Sequence, residues 1–487
     1  MEEQELSLVA ADHHAERAEA ETPNGDFRAV SVCAVYGTNA SGKSNVIDAV
    51  GWMRRAVLSS FRHWDPSGGV PRRPFALRDD AAAHPSSFAL DFILGGVHHQ
   101  FGFSVNDDRV TEEWLYYYPE GRQRRLYERG ADGVVTFGRW LTGRRKLIAE
   151  LLRPNSLYLS VAAAQGHEQL GEVFRWFRSG LRLATDQDFA QRLDHTIRLC
   201  QADGDRQDSA PVMAMLRFAD LGVSGLDIKE WDETVLKDHK RITEALREAL
   251  GDKVRVQGDS KQRVRVEHRT DAGVFPLDLR DESSGTRTWI GLVGPVITTL
   301  ADGGVLCVDE LDARLHPYLV DALVGMFQSR DVNRAGAQLV VSTHEAALLG
   351  RNVRTELFRD QVWFTEKDPR TLATRLFPMT EFSVRDSADN LEKRYLGGRY
   401  GAVPYLDDEL LRDMVAAFRH GGVDEAGRAL STGPLDRVVA RQSSWSAESV
   451  PPHRSRTTWS YSDVLLWSRQ SDGSSASSAT PVIRCSG

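Results

Sequence analysis

The segment Gly37-Thr38-Asn39-Ala40-Ser41-Gly42-Lys43-Ser44 constrains this chain more than any other feature. It fits G-x-x-x-x-G-K-[ST]. The apolar residues Val32 to Tyr36 before it read as a short strand, and Asn45 to Val50 after it open an amphipathic helix that continues through Trp52 and Met53. Gly37 and Gly42 let successive N–H groups turn inward at a helix N-terminus whose dipole favours negative charge. Lys43 adds a point charge for β and γ phosphates. Ser44 offers a hydroxyl to Mg²⁺, a hard cation that keeps most of its waters. A glycine turn that merely precedes a helix would not need the whole pattern, so Gly37 through Asn45 are the expected phosphate-binding residues.

A second motif lies far downstream in GGVLCVDELDARLHP, Gly303 to Pro317. Val305 to Val308 form a wholly apolar run, as expected of a central parallel strand covered on both faces, and Asp309 and Glu310 stand at its C-terminal end, where α/β sheets place ligands. This is a Walker B pattern. Asp309 is expected to hold the Mg²⁺ shell and Glu310 to polarise an attacking water, because hydrolysis at a γ-phosphate depends on positioning and charge stabilisation. An ordinary strand ending in two solvated acids is the competing reading, and the upstream phosphate loop weighs against it.

Composition sets the outer bounds. With 487 residues, 41% hydrophobic and 27% charged, the chain has room for two or three globular domains. No run approaches the roughly 20 apolar residues of a membrane helix, and the acidic start MEEQELSLVA is no secretory signal. Cys33, Cys200, Cys307 and Cys485 show no metal spacing, and Cys33 and Cys307 sit in apolar runs where a thiol behaves as a small hydrophobe. A reducing cytoplasm is the expected location. The formal net charge of −8 weighs against generic nucleic-acid binding while leaving room for a local basic groove.

Between the two motifs lies LRDESSGTRTWIGLVGPVITTL, in which Ser283, Ser284 and Gly285 precede an apolar helix. This run resembles the signature motif of ABC-type ATPases, with Ser283 and Gly285 matching its serine and final glycine and Ser284 standing where most members have another glycine. In QLVVSTHEAALL, His344 falls where that superfamily keeps its switch histidine. Gln165, after Leu157-Tyr158-Leu159-Ser160 read as a strand, resembles the Q-loop glutamine that reaches Mg²⁺ and the γ-phosphate; a helix-capping or solvated role is the alternative. The resemblance implies ATP and Mg²⁺ as ligands, with Glu310 and His344 catalytic and Gln165, Ser283 and Gly285 completing the nucleotide site.

From ELSLVA to YLGGRYGAVPYL the chain looks like bacterial AAA-type, ABC-like ATPases related to OLD nucleases, RecF-like repair proteins and chromosome-maintenance heads, which often stand beside phage-defence effectors. His316 departs from the D-loop aspartate of the chromosome-maintenance relatives, as in OLD-like members. The family's usual extra N-terminal strand is missing, so either the start is truncated or misassigned or the sheet loses an edge strand. The span from Ser44 to Ser283 is too short for long coiled coils, and no sustained heptads appear. No Toprim-like glutamate and D-x-D pair follows His344.

The expected fold is therefore α/β, a P-loop NTPase of ABC-ATPase head type with an antiparallel β subdomain and a helical insertion. Residues 1–150 would form the lobe with the P-loop and the antiparallel sheet, whose strands lie in FALDFIL, HHQFGFSV and RVTEEWLYYY. Residues 151–280 would form a helical lid or arm, from periodic runs such as VFRWFRSGL and ITEALREAL, and a hairpin. Residues 281–400 would carry the signature, Walker B and switch histidine. A C-terminal extension, 401–487, rich in Ser, Arg and Pro towards its end, would be disordered after about 430. The expected function is ATP hydrolysis by a head-to-tail homodimer, regulating a separate nuclease or toxin in a defence or stress system. The alternative is a RecF-like repair ATPase that clamps duplex DNA.

Overall fold

The computed structural model describes residues 4–14, 17–21, 28–78, 80–201, 210–230, 241, 245, 262–350, 354–383, 390–404, 408–409, 411–412 and 415, with the backbone of 466–467 and 482–486. The chain enters through three short strands, β1 (Gln4–Ser7), β2 (Glu19–Glu21) and β3 (Arg28–Val30), and then forms β4 (Val32–Gly37), the phosphate-loop strand, and α1 (Lys43–Ser59). Residues 86–137 give five antiparallel strands in sequence: β5 (Ser86–Leu94), β6 (Val97–Val105), β7 (Val110–Tyr118), β8 (Arg124–Arg129) and β9 (Val135–Phe137). This is the β subdomain expected from the alternating pattern.

The nucleotide-binding sheet is assembled from distant parts of the chain. Its strands are β4, β10 (Leu181–Ala184), β14 (Val305–Val308), β15 (Gln338–Ser342), β16 (Val362–Lys367) and β17 (Thr374–Pro378). They lie in the order β10-β14-β15-β4-β16-β17, with all neighbours parallel except the last pair. Alternation of side chains across this sheet feeds two cores. Val32, Ala34, Tyr36, Leu306, Val308, Leu339 and Val341 join a cluster that includes Trp289 and Leu323. Cys33, Val35, Val305, Cys307 and Val340 join Ile47, Val50 and Met53 of α1 and the aromatic face of the β subdomain. The Cys33 and Cys307 thiols are fully buried, and burial raises their pKa, that of Cys307 to about 12. Among the described residues no helix is long and apolar enough to cross a membrane.

The region 151–280, expected to be a helical insertion, is mixed. It contains α3 (Tyr158–Ala164), α4 (Glu168–Arg175), α5 (Phe189–Gln201) and α6 (Ala210–Phe218), preceded by the short α2 (Arg145–Ala149). It also supplies β10, an edge strand of the nucleotide sheet, and β11 (Val223–Glu230), which pairs with the expected hairpin β12 (Gln262–Thr270) and β13 (Gly273–Asp278). The run ITEALREAL falls almost wholly outside the described residues. The expected strand at Leu157–Ser160 is instead the cap and first turn of α3. Its continuation is alanine-rich, a strong helix former, and the buried Glu113 carboxylate accepts from Tyr158 N at 2.6 Å and Leu159 N at 3.0 Å. Beyond these lie α7 (Ser284–Asp302), α8 (Pro317–Gln328) and α9 (Leu391–Leu396).

Most of the extension expected to be disordered after about 430 lies outside the described residues. Its far end departs from that expectation. The strand β18 (Leu466–Trp467) pairs with β5, and β19 (Val482–Ser486) lies antiparallel between β1 and β5. The segment is short, but its Val-Ile start favours strand, and ladder bonds on both sides supply what the tail's composition does not.

Glu113 joins three elements, because it also accepts from Tyr127 Oη at 2.6 Å. Burial raises its pKa, against the hydrogen bonds it receives from Tyr127, Leu159 and Tyr158. Glu113→Ala orphans two backbone N–H groups and a buried phenol, and should cost about 3 kcal/mol of stability in urea unfolding.

Candidate nucleotide site

The phosphate loop leaves the C-terminal end of β4 and turns into α1 through Gly42, whose φ of 107° is left-handed and whose lack of a side chain leaves the helix uncapped. The free N–H groups of the first turn are thereby open to an external acceptor. Gly42 is required twice over, since a Cβ there would also collide with Thr374. Thr374 Oγ1 donates to Ser41 O at 2.9 Å, and the Ser41 and Thr365 hydroxyls meet at 2.6 Å in a buried contact. The hairpin of β16 and β17 thus buttresses the loop from outside. Ala40 also has a positive φ, of 61°, a strained setting typical of ligand clamps.

Lys43 is 5% exposed, and its Nζ donates to the carbonyls of Gly37 and Thr38, both at 3.0 Å. Burial lowers its pKa, while the charges of Glu310, Asp312 and Asp309 act in the opposite sense. These three acids follow β14, two strands away from β4. Ser342 Oγ, at the end of the intervening β15, donates to Asp309 Oδ1 and accepts from Glu310 N at 2.8 Å. Glu310 is exposed with a φ of 50°, so its carboxylate stands on a strained turn rather than in the strand.

His344 follows β15, and its backbone N–H donates to both oxygens of Asp312, at 3.1 and 3.2 Å. Partial burial and then the charge of Lys43 lower the pKa of its ring, against Asp312 and Glu310, which favours the neutral ring at pH 7. Lys43, Asp309, Glu310, Asp312 and His344 therefore occupy one electrostatic neighbourhood at the C-terminal ends of β4, β14 and β15, where open α/β sheets bind ligands. Ser44 is half-buried at the start of α1, while Thr38, Asn39, Ala40 and Asn45 line the loop's solvent side in varying exposure.

Two elements of the sequence reading stand apart. Gln165 is exposed and forms the C-cap of α3; among the described hydrogen bonds none joins it to the phosphate loop or to the acids after β14. Ser283 is the N-cap of α7, accepting from Thr286 N at 3.1 Å. The exposed Ser283 and Ser284 and the half-buried Gly285 form no described hydrogen bond with residues 37–45; a Cβ at Gly285 would instead lie 2.8 Å from the carbonyl of Arg314. Sequence reasoning did not single out Asp312, Ser342, Thr365 or Thr374. Asp312 was visible inside the DELD run; the others act through contacts between remote segments.

A parallel sheet with a glycine loop at its switch point, an inward lysine and an acidic pair across one strand defines a P-loop NTPase of ABC-ATPase-like fold. The chain belongs to the AAA-domain family described as "AAA domain, putative AbiEii toxin, Type IV TA system", whose model matches residues 32–350. Among solved structures it is similar to the SmcHead bound to the C-winged helix domain of ScpA, at 11% identity and a TM-score of 0.31, over 76% of this chain and 98% of that one. No curated protein matches the sequence. The family supports nucleotide binding and hydrolysis by a domain of this kind.

Ser342 gives a direct test of the geometry. Ser342→Ala removes the hydroxyl that orients Asp309 and receives Glu310 N, so turnover should fall about 10- to 100-fold, as for other supporting contacts around metal ligands. The ATP-binding loop is untouched, and equilibrium affinity in nucleotide titration should change little.

Proposed function

We propose that this chain hydrolyses ATP as a head-to-tail homodimer with two nucleotides held between the subunits, and that its ATP state regulates a separate nuclease or toxin in a defence or stress system. The observation that carries the reading is the division of the site. The phosphate loop, the acids after β14 and His344 converge, whereas the helix end at Ser283 and Gly285 makes no described hydrogen bond to the loop of its own chain. A two-fold neighbour resolves this, because an isologous interface pairs each loop with the other subunit's helix end. The toxin–antitoxin wording of the family supports a place in a defence or stress system.

The residues fit Mg²⁺-ATP on the loop's own terms. Gly42 leaves the first turn of α1 without a side-chain cap, so its N–H groups are open to phosphate oxygens, and Lys43 donates meanwhile to two loop carbonyls. Ser44 and Asp309 would hold the metal, which with its few protein ligands keeps waters. When bound, Mg²⁺-ATP supplies the phosphoryl group and the cation that neutralises its charge. Lys43 Nζ would bind the phosphate oxygens, Gly37 to Asn45 would provide backbone N–H donors, and Gln165 is the candidate link from the insertion. The Glu310 carboxylate orients water and accepts its proton. The neutral His344 ring is suited to donate a hydrogen bond towards the transferred group, oriented by the Asp312 contacts to its backbone. Ser283 and Gly285 address the partner's nucleotide.

Two substitutions separate assembly from chemistry. Glu310→Gln keeps the side chain's size but loses the charge that polarises water, so turnover should fall about a hundredfold or more while an ATP-bound dimer accumulates. Ser283→Arg puts a bulky cation at the helix end offered to the partner, so ATP should bind without association. Size-exclusion chromatography with light scattering in Mg²⁺ and ATP reads both. Wild-type turnover by Ser283→Arg would show that the site is completed within one chain.

A further inference from the structure

A cavity of about 170 Å³ opens between the C-terminal ends of β10 and β14, on the side of β14 away from β15 and β4. The start of α5 and the first turns of α7 close it. Thr185, Arg192, Thr288, Asp309, Glu310 and Arg314 bring charged and hydroxyl groups to its wall. A single ordered water needs only about 10–15 Å³ of such space, so a small polyatomic ligand fits. Asp309 and Glu310 thus face two spaces, this cavity and the neighbourhood of Lys43.

Arg192, in the first turn of α5, is the group that the rest of the fold leaves unanswered. It is only 8% exposed. Its Nη2 donates to the carbonyl of Thr185 at 2.9 Å, but its Nε is buried without a hydrogen-bond partner, and among the described residues no carboxylate forms an ion pair with it. Gly291 of α7 makes room for it, since a Cβ there would lie 3.2 Å from Nη1. Burial lowers the pKa of Arg192, with Asp188 and Asp186 acting against this and the like charge of Arg314 acting with it. The neighbouring acids are engaged elsewhere. Asp186 pairs with Arg314 at 3.2 Å, Asp188 accepts from Thr185 Oγ1 at 2.6 Å, and Asp309 accepts from Ser342 Oγ. A buried guanidinium with one backbone acceptor is costly until an anion reaches it.

We propose that this cavity is a holding site for inorganic phosphate, bound by Arg192 and Arg314 after it leaves the nucleotide. Guanidiniums present paired N–H donors that match phosphate oxygens. The Thr288 hydroxyl, which makes no described hydrogen bond, adds a donor on the α7 side. A tetrahedral anion with several oxygens can meet all three groups, whereas a simple carboxylate has two oxygens and a single charge. Glu310 opposes the binding, because its carboxylate faces the same space. Phosphate held there stands beside the acid that positions water, so it should slow the next turnover until it departs. The binding rests on the cavity and its arginines alone; the origin of the phosphate in hydrolysis rests on the function proposed above.

The test is calorimetric titration of the full chain with inorganic phosphate, without nucleotide. Because the phosphate loop can also take phosphate, the titration uses the Lys43→Ala chain, and saturable binding at one site is expected. Adding Arg192→Met should weaken it about tenfold or more, while the melting temperature in phosphate-free buffer stays close to that of the parent, since the charge removed has no ion-pair partner. The exposed Arg314→Gln gives a second variant that does not disturb the core, and should weaken binding about two- to fivefold. Glu310→Gln removes an opposing charge and should tighten it. In the chain with Lys43 intact, added phosphate should slow ATP turnover, and Arg314→Gln should blunt that inhibition. No saturable phosphate binding by Lys43→Ala, unchanged affinity in both arginine variants, or tighter binding of acetate than of phosphate would overturn the proposal. Retention of ATP binding by Lys43→Ala would instead contradict the assignment of the loop, and leaves the phosphate titration of the arginine variants readable.

Discussion

The sharp reversal of the backbone between β4 and α1 is the constraint on which the rest of the structure depends. It requires a left-handed residue without a side chain at Gly42 and a close fit of Ser41 against Thr365 and Thr374. Those partners lie on β16 and β17, more than three hundred residues along the chain, so the loop cannot hold its shape until that side of the sheet is assembled. The turn delivers Lys43 into a 5%-exposed position, where among the described residues its ammonium has only loop carbonyls as hydrogen-bond partners. Burying an ammonium without an anion is costly, and the acids after β14 supply the compensating field.

That field explains why β15 stands between β4 and β14. The inserted strand holds the acids a strand's width beyond the lysine's neighbours, leaving a gap between opposite charges, and its Ser342 fixes Asp309. Glu310 is displaced from the strand by its positive φ and remains exposed, while Asp312 turns back to hold the backbone of His344. Charge separation, a strained acid and a histidine whose pKa is lowered are thus consequences of one strand order. Functional sites commonly retain such local strain where the surrounding fold enforces it.

The legible parts of the sequence were those whose meaning is local. The glycine loop, the apolar strand ending in Asp309 and Glu310, the apolar helix after Ser283 and the alternating strands of residues 86–137 each declare themselves within a short window, and the structure forms each as an element of the expected type. The run at Leu157 was misread as a strand because its apolar residues have no decisive period; the helix is set by Glu113, a partner over forty residues away. Residues 181–184 are too short and too mixed to announce a core strand, and become one by pairing with β14. Thr365, Thr374 and Ser342 carry no motif, since a hydroxyl gains its role here from what the sheet brings beside it.

The central claim is that the loop from Gly37 to Ser44 binds the phosphates of ATP through the inward lysine. Isothermal titration of the wild-type chain and of Lys43→Ala with ATP and Mg²⁺ tests it most directly, with circular dichroism to establish that both are folded. The account predicts saturable binding with one nucleotide per wild-type chain and its loss in the folded variant, because among the described residues Lys43 Nζ donates only to loop carbonyls and its removal leaves the sheet intact. Equal affinity of the two chains would contradict it.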